Sequence, residues 1–154
     1  LETVSALAAS ALGWDVLCTD LPDVLPLTER NVAANRAQLD SLHTVLVGQG
    51  LAAGAAADGG VGLGQGRLDF LPLPFGEPMP PETQRWLDDR GGATLILCSD
   101  CIWQSHRHRP LAVTLAQLLR TPGSQALVAY QARQMAEVSF FPLLLKYNLR
   151  SEPL

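Results

Sequence analysis

Apolar positions along the chain change spacing in a regular alternation. Through residues 1 to 12 they recur at helical intervals, with Val4, Leu7, Ala8 and Ala11 on one face and Gly13 following as a C-cap. Asp15 to Thr19 reads as a strand. Val24 to Ala37 reads as a helix through Leu25, Thr28, Val32 and Asn35, and Pro26 fits its first turn, where no backbone N–H is needed. Leu42 to Val47 reads equally as an extra strand or as the tail of that helix.

Beyond residue 66 the alternation resumes. Arg67 to Leu71 reads as a short strand, and the prolines from Pro72 to Pro81 require a loop. Glu82 to Arg90 reads as a surface helix with Trp86 and Leu87 packed inward. Ala93 to Cys98 is a continuous apolar run of the kind a strand covered on both faces carries. Leu111, Leu115, Leu118 and Leu119 form one helical stripe that ends at Thr121-Pro122-Gly123-Ser124. A strand over Ala126 to Tyr130 and a final helix over Met135 to Tyr147 follow, with Phe140, Phe141, Leu144 and Leu145 in the core. Strands alternating with helices imply an α/β fold built on a doubly wound, mostly parallel sheet.

At 154 residues, 47% hydrophobic and 17% charged, the chain has the length and balance of one globular domain. It opens inside a helix with no N-cap before it, so it reads as a partial domain. Residues 49 to 66 turn rich in Gly and Ala. No buried strand precedes these glycines and no helix follows them, so they read as a flexible insertion and not as a phosphate-binding loop.

A net charge of -4 and a pI near 5.2 leave no electrostatic footprint for nucleic acid, and Arg107-His108-Arg109 is too short to supply one. Cys18, Cys98 and Cys101 sit in or beside apolar runs and read as small buried hydrophobes of a reducing compartment. With one CxxC and no histidine pair at ligand spacing, no metal site is expected. No apolar run reaches the roughly 20 residues that a membrane helix needs. The expectation is a soluble monomer of the cytoplasm or the nucleus.

Two acids stand at strand tips: Asp20 after the first strand and Asp100, preceded by Ser99, after the Ala93 to Cys98 run. In a doubly wound sheet, ligands bind outside the carboxyl ends of the strands, where an acid can accept both hydroxyls of a ribose. Each acid has a plainer reading, Asp20 as a helix N-cap and Asp100 as a loop cap. Phe75 and Trp103 read equally as packing residues, and Tyr130 as a core residue with a satisfied hydroxyl. His43, His106 and His108 are expected to face solvent.

The order Cys18-Thr19-Asp20-Leu21-Pro22, Asn31-Val32-x-x-Asn35, Leu73-Pro74-Phe75-Gly76, Leu95 to Trp103, and Ala129-Tyr130 followed by Phe140-Phe141 resembles the methyltransferase-like protein-lysine methyltransferases of the seven-β-strand class. The resemblance implies a Rossmann-like methyltransferase domain, S-adenosylmethionine as cofactor and a protein lysine as acceptor. It makes Asp20 the ribose carboxylate, with Leu21 beside the adenine. Phe75 stands where the family has a Trp lining the adenine pocket, keeping the apolar face without the indole N–H. Ser99 and Asp100 border the methyl donor. Asp100 opens an Asp-x-x-aromatic motif that ends here in Trp103, where Tyr or Phe is usual, and Tyr130 lies near the acceptor channel. On this resemblance the family's first strand and Gly-rich loop would precede Leu1 and its last two strands would follow Leu154. Methylation of another acceptor, or a non-catalytic interaction scaffold, are the alternatives.

Overall fold

A computed structural model describes residues 2–50, 66–132 and 136–153. The chain divides into two compact units, Leu1–Pro72 and Leu73–Leu154. Each is built on a pair of parallel strands with helices, a mixed α/β organisation.

The first unit runs α1 (Glu2–Ala11), β1 (Val16–Asp20), α2 (Leu25–Ala34), α3 (Arg36–Gly48) and β2 (Leu68–Pro72). β1 and β2 pair in parallel, with Val16 opposite Leu68 and Asp20 opposite Pro72. Pro72 is tolerated because a strand end can lose a ladder N–H. The buried face of α1 is only partly the expected one: Ala11 is buried and Leu7 half-buried as expected, but Ala6 and Ser10 are buried too, while Ala8 is exposed and Val4 is 67% exposed. Small side chains let α1 lie close against β1, α2 and α3. That closeness brings Ser10 to Gly66, whose carbonyl accepts from Ser10 Oγ at 2.7 Å and whose N–H donates to the Ser10 carbonyl at 3.0 Å.

A Cβ on Gly66 would lie 1.7 Å from the Trp14 carbonyl oxygen, so the crossing of these two segments requires glycine. Gly66 is therefore pinned, although it ends the stretch expected to be a flexible insertion; residues 51–65 of that stretch lie outside the described residues. Leu42 to Val47 belongs to a helix, α3. Asn35 separates α2 from α3 at φ -105°, and its Nδ2 donates to the Asn31 carbonyl at 2.7 Å. His43 is buried, contrary to expectation, with Nδ1 2.6 Å from the Ala11 carbonyl. Ala11 ends α1, and its carbonyl has no intrahelical donor, so the ring N–H supplies one.

The second unit runs α4 (Pro81–Asp88), β3 (Leu95–Ser99), α5 (Ser105–Leu118), β4 (Gln125–Ala129) and α6 (Phe140–Leu144), with 3-10 turns at Ala136–Ser139 and Leu145–Tyr147. Its core joins Cys98, Ile102, Leu111, Ala112, Leu115, Phe140 and Leu144, with Ile96, Ala126 and Val128 packed against them. Among the described residues only this face of β3 is covered; Leu95 and Leu97 are exposed there, against the expectation of cover on both faces.

Helix α5 begins at Ser105 and takes Pro110 into its interior. Proline there removes the N–H that would bond the His106 carbonyl. His106 is exposed, so water can satisfy that carbonyl. The last helical segment is shorter than expected and continues into 3-10 turns, while Met135 lies outside the described residues. Phe140 and Leu144 are core residues, but Leu145 is 66% exposed, the opposite of its expected place. On α4, Leu87 is buried and Trp86 is half-buried beneath the Arg90 guanidinium, 4.1 Å from the ring centroid.

Candidate functional site

In the first unit, Asp20 is the last residue of β1 and is half-buried. Its Oδ1 accepts the Leu21 N–H at 2.8 Å. It does not cap a helix, since the N-cap of α2 is Val24 and makes no side-chain cap bond. The short bond to Leu21 turns the carboxylate along the strand end, and Oδ2 has no hydrogen bond to the described residues. That oxygen can accept hydroxyl donors from a ligand. Leu21, next along the chain, presents an exposed apolar side chain.

In the second unit, the parallel register sets Ser99 opposite Ala129, so Asp100 and Tyr130 both leave the carboxyl edge of the β3–β4 pair. The Asp100 N–H donates to the Ala129 carbonyl at 2.7 Å, which carries the ladder one residue past the strand. There the backbone turns into the left-handed region, with Asp100 at φ 56°. Aspartate tolerates this conformation better than most residues, but it still costs on the order of 1 kcal/mol. The turn redirects the chain toward Ile102, which is fully buried, and Trp103, which is 48% exposed. Cys101 Sγ donates back to the Ser99 carbonyl at 3.5 Å.

The two aromatic residues of this edge are not core residues. Trp103 is exposed, and Tyr130 is largely exposed with its ring 5.6 Å from that of Phe141. The plainer readings of Trp103 as packing and of Tyr130 as core are therefore corrected. Phe75 does pack, half-buried against the core of the second unit. The Phe75-Gly76 turn sits directly on α5: the Gly76 N–H donates to Thr114 Oγ1 at 2.9 Å, and a Cβ on Gly76 would lie 2.8 Å from Pro110 Cα. With φ at 79° as well, glycine is needed there twice over.

His108, expected to face solvent, is buried at 3% exposure. Its Nε2 lies 2.8 Å from the Ile102 carbonyl and its Nδ1 3.1 Å from Ser139 Oγ. The signal for its burial is in the sequence. His108 stands three residues before Leu111 and seven before Leu115, on the apolar stripe of α5 once that stripe is continued across Pro110.

Each unit thus pairs two parallel strands in a mixed α/β organisation, with an acid at the carboxyl end of its first strand. The family model described as lysine methyltransferase matches residues 65–147, more than half of the chain, and the chain belongs to that family. The matched stretch contains β2 through α6 and includes Phe75, Ser99, Asp100, Trp103 and Tyr130. No curated protein matches the chain. Among the described residues, no helix is long and apolar enough to cross a membrane, and no three His, Cys, Asp or Glu side chains gather where they could hold a metal ion.

Proposed function

We propose that this chain belongs to a doubly wound, Rossmann-like methyltransferase domain that transfers a methyl group from S-adenosylmethionine to a lysine side chain of a protein. One observation carries the reading: within the segment matched by the lysine methyltransferase family, Asp100 and Tyr130 leave the same carboxyl edge of a parallel strand pair. The cofactor fits the donor set. In the first unit Asp20 ends a parallel strand, as a ribose carboxylate would, with the exposed Leu21 beside it; in the second unit Phe75 holds the position that the family resemblance gives to the adenine-pocket aromatic.

When bound, S-adenosylmethionine would supply an electrophilic methyl on a sulfonium, to which an amine nitrogen bonds in line as the C–S bond breaks and the thioether, S-adenosylhomocysteine, leaves. The protein's part is to position the amine and exclude water. A lysine amine has a solution pKa of about 10.4 and reacts only as the neutral base. The Asp100 carboxylate accepts a hydrogen bond from that amine and orients it. The faces of Trp103 and Tyr130 form the aromatic walls through which the lysine stem passes. Ser99, the last residue of β3, borders the donor side.

The test is calorimetric titration of S-adenosylhomocysteine into this chain and into the full-length gene product, followed by transfer of labelled methyl to protein lysines. Binding and transfer to lysine are the expected result. Binding with transfer to another acceptor moves the substrate class, and a folded protein that binds nothing leaves an interaction scaffold.

A further inference from the structure

The segment that joins β3 to α5 carries Asp100 and Trp103, and it is short. Between its two ends the chain is anchored at two backbone groups. One is the Asp100 N–H, bonded to the Ala129 carbonyl at 2.7 Å. The other is the Ile102 carbonyl, 2.8 Å from His108 Nε2. Ile102 has no exposed surface, so water does not compete strongly for the partner of its carbonyl.

A carbonyl can only accept, so Nε2 carries a proton. In the neutral ring Nδ1 is then an acceptor, and the Ser139 hydroxyl, 3.1 Å away, donates to it. The Phe140 ring stands edge-on to the imidazole, with centroids 5.5 Å apart at 67°. Three contacts from three directions thus fix the tautomer and the plane of a buried ring, and the ring fixes the backbone one residue before Trp103.

We infer that His108 is a positioning residue of the acceptor side of the site: through the Ile102 carbonyl it holds the Asp100–Trp103 segment so that the carboxylate and the indole keep a constant relation to the end of β3. The inference rests on the methyltransferase reading. His108 itself touches no reacting atom and acts through the backbone. Small displacements of a positioning segment cost turnover steeply, about 100-fold for a shift near 1 Å.

The experiment compares wild type with His108→Leu, His108→Gln and Ser139→Ala. Cofactor binding is read with S-adenosylhomocysteine, and turnover with labelled S-adenosylmethionine on a pool of lysine-containing peptides. Backbone exchange is read over residues 100–104. His108→Leu keeps an apolar body but removes the donor, and roughly 10- to 100-fold lower kcat is expected, with KM for the cofactor within about 3-fold of wild type. Exchange at 100–104 should rise while exchange in α6 stays unchanged. His108→Gln returns an N–H donor and is expected to recover part of the loss. Should His108→Leu fail to fold, Ser139→Ala, which removes the hydroxyl beside Nδ1 and leaves the ring in place, carries the comparison, and a several-fold lower kcat is expected.

A folded His108→Leu with wild-type kcat overturns the inference, as does an unchanged kcat in Ser139→Ala where His108→Leu does not fold. Equal losses in His108→Leu and His108→Gln overturn it too. Wild type that binds no S-adenosylhomocysteine overturns the methyltransferase reading and this inference together, whereas binding by wild type with unaltered turnover in the variants overturns the inference alone.

Discussion

The two units are held together by different means. The second is closed by large apolar side chains, with Phe140 and Ile102 without exposed surface and Leu111, Leu115 and Leu144 around them. The first buries Leu25 and Val32 but packs α1 through the small residues Ala6, Ser10 and Ala11, and is tied by hydrogen bonds that cross it: Ser10 to Gly66, His43 to Ala11, and the Arg67 N–H to Asp15 Oδ1 at 2.9 Å. An apolar core draws its stability from area removed from water, and loses it in proportion to the volume deleted. A core of small residues draws on close backbone approach, and loses it when one polar link is left open.

The comparison is broken most directly in the second unit. Phe140→Ala removes a ring with no exposed surface and its edge contacts with His108 and Phe141, and should cost about 3–5 kcal/mol of unfolding free energy by denaturant titration. A loss under about 1 kcal/mol would mean that this core collapses easily and that the contrast is false. In the first unit Ser10→Ala keeps the small volume of the helix face and removes only the hydroxyl. It leaves the Gly66 carbonyl without that donor and should cost about 1–3 kcal/mol. A neutral result would show that the unit is held by shape alone. Smallest for stability is Asp20→Ala, expected within about 0.5 kcal/mol of wild type because the side chain is half-buried and, among the described residues, bonds only to its neighbour. The same change should weaken S-adenosylhomocysteine binding by about 10-fold or more, since a charge-assisted hydrogen bond is worth roughly 1.5–3 kcal/mol. Unchanged affinity removes Asp20 from the cofactor site.

The contrast also explains which parts of the molecule were legible in sequence. The stripe Leu111, Leu115, Leu118 and Leu119 pointed to α5, because large apolar residues at a helical period have few other uses. Of the four residues expected on the inner face of α1, Ala11 and Leu7 turn inward, but Val4 and Ala8 do not. Hydrophobicity ranks Val above Ser, but a close helix crossing selects for size, and Ser10 is both small and able to donate. His43 and His108 were misread for a related reason. A polar ring is buried only where a backbone carbonyl waits for it, and those carbonyls, Ala11 and Ile102, are made available by the fold.

By itself the sequence determined the alternation of strands and helices, the strand-tip places of Asp20 and Asp100, and the motif order that resembles the family now matched over residues 65–147. These are local or periodic properties, set by side-chain spacing and by residue order along one chain. Only the tertiary structure decided that Asp100 enters the left-handed region while bonded to β4, that Gly66 and Gly76 sit where no Cβ fits, and that His108 reaches back to Ile102. The Asp100, Gly66 and Gly76 contacts depend on two segments distant in the chain arriving within a few ångströms of each other, and the His108 contact on the turn between β3 and α5, and no periodicity within a segment encodes those meetings.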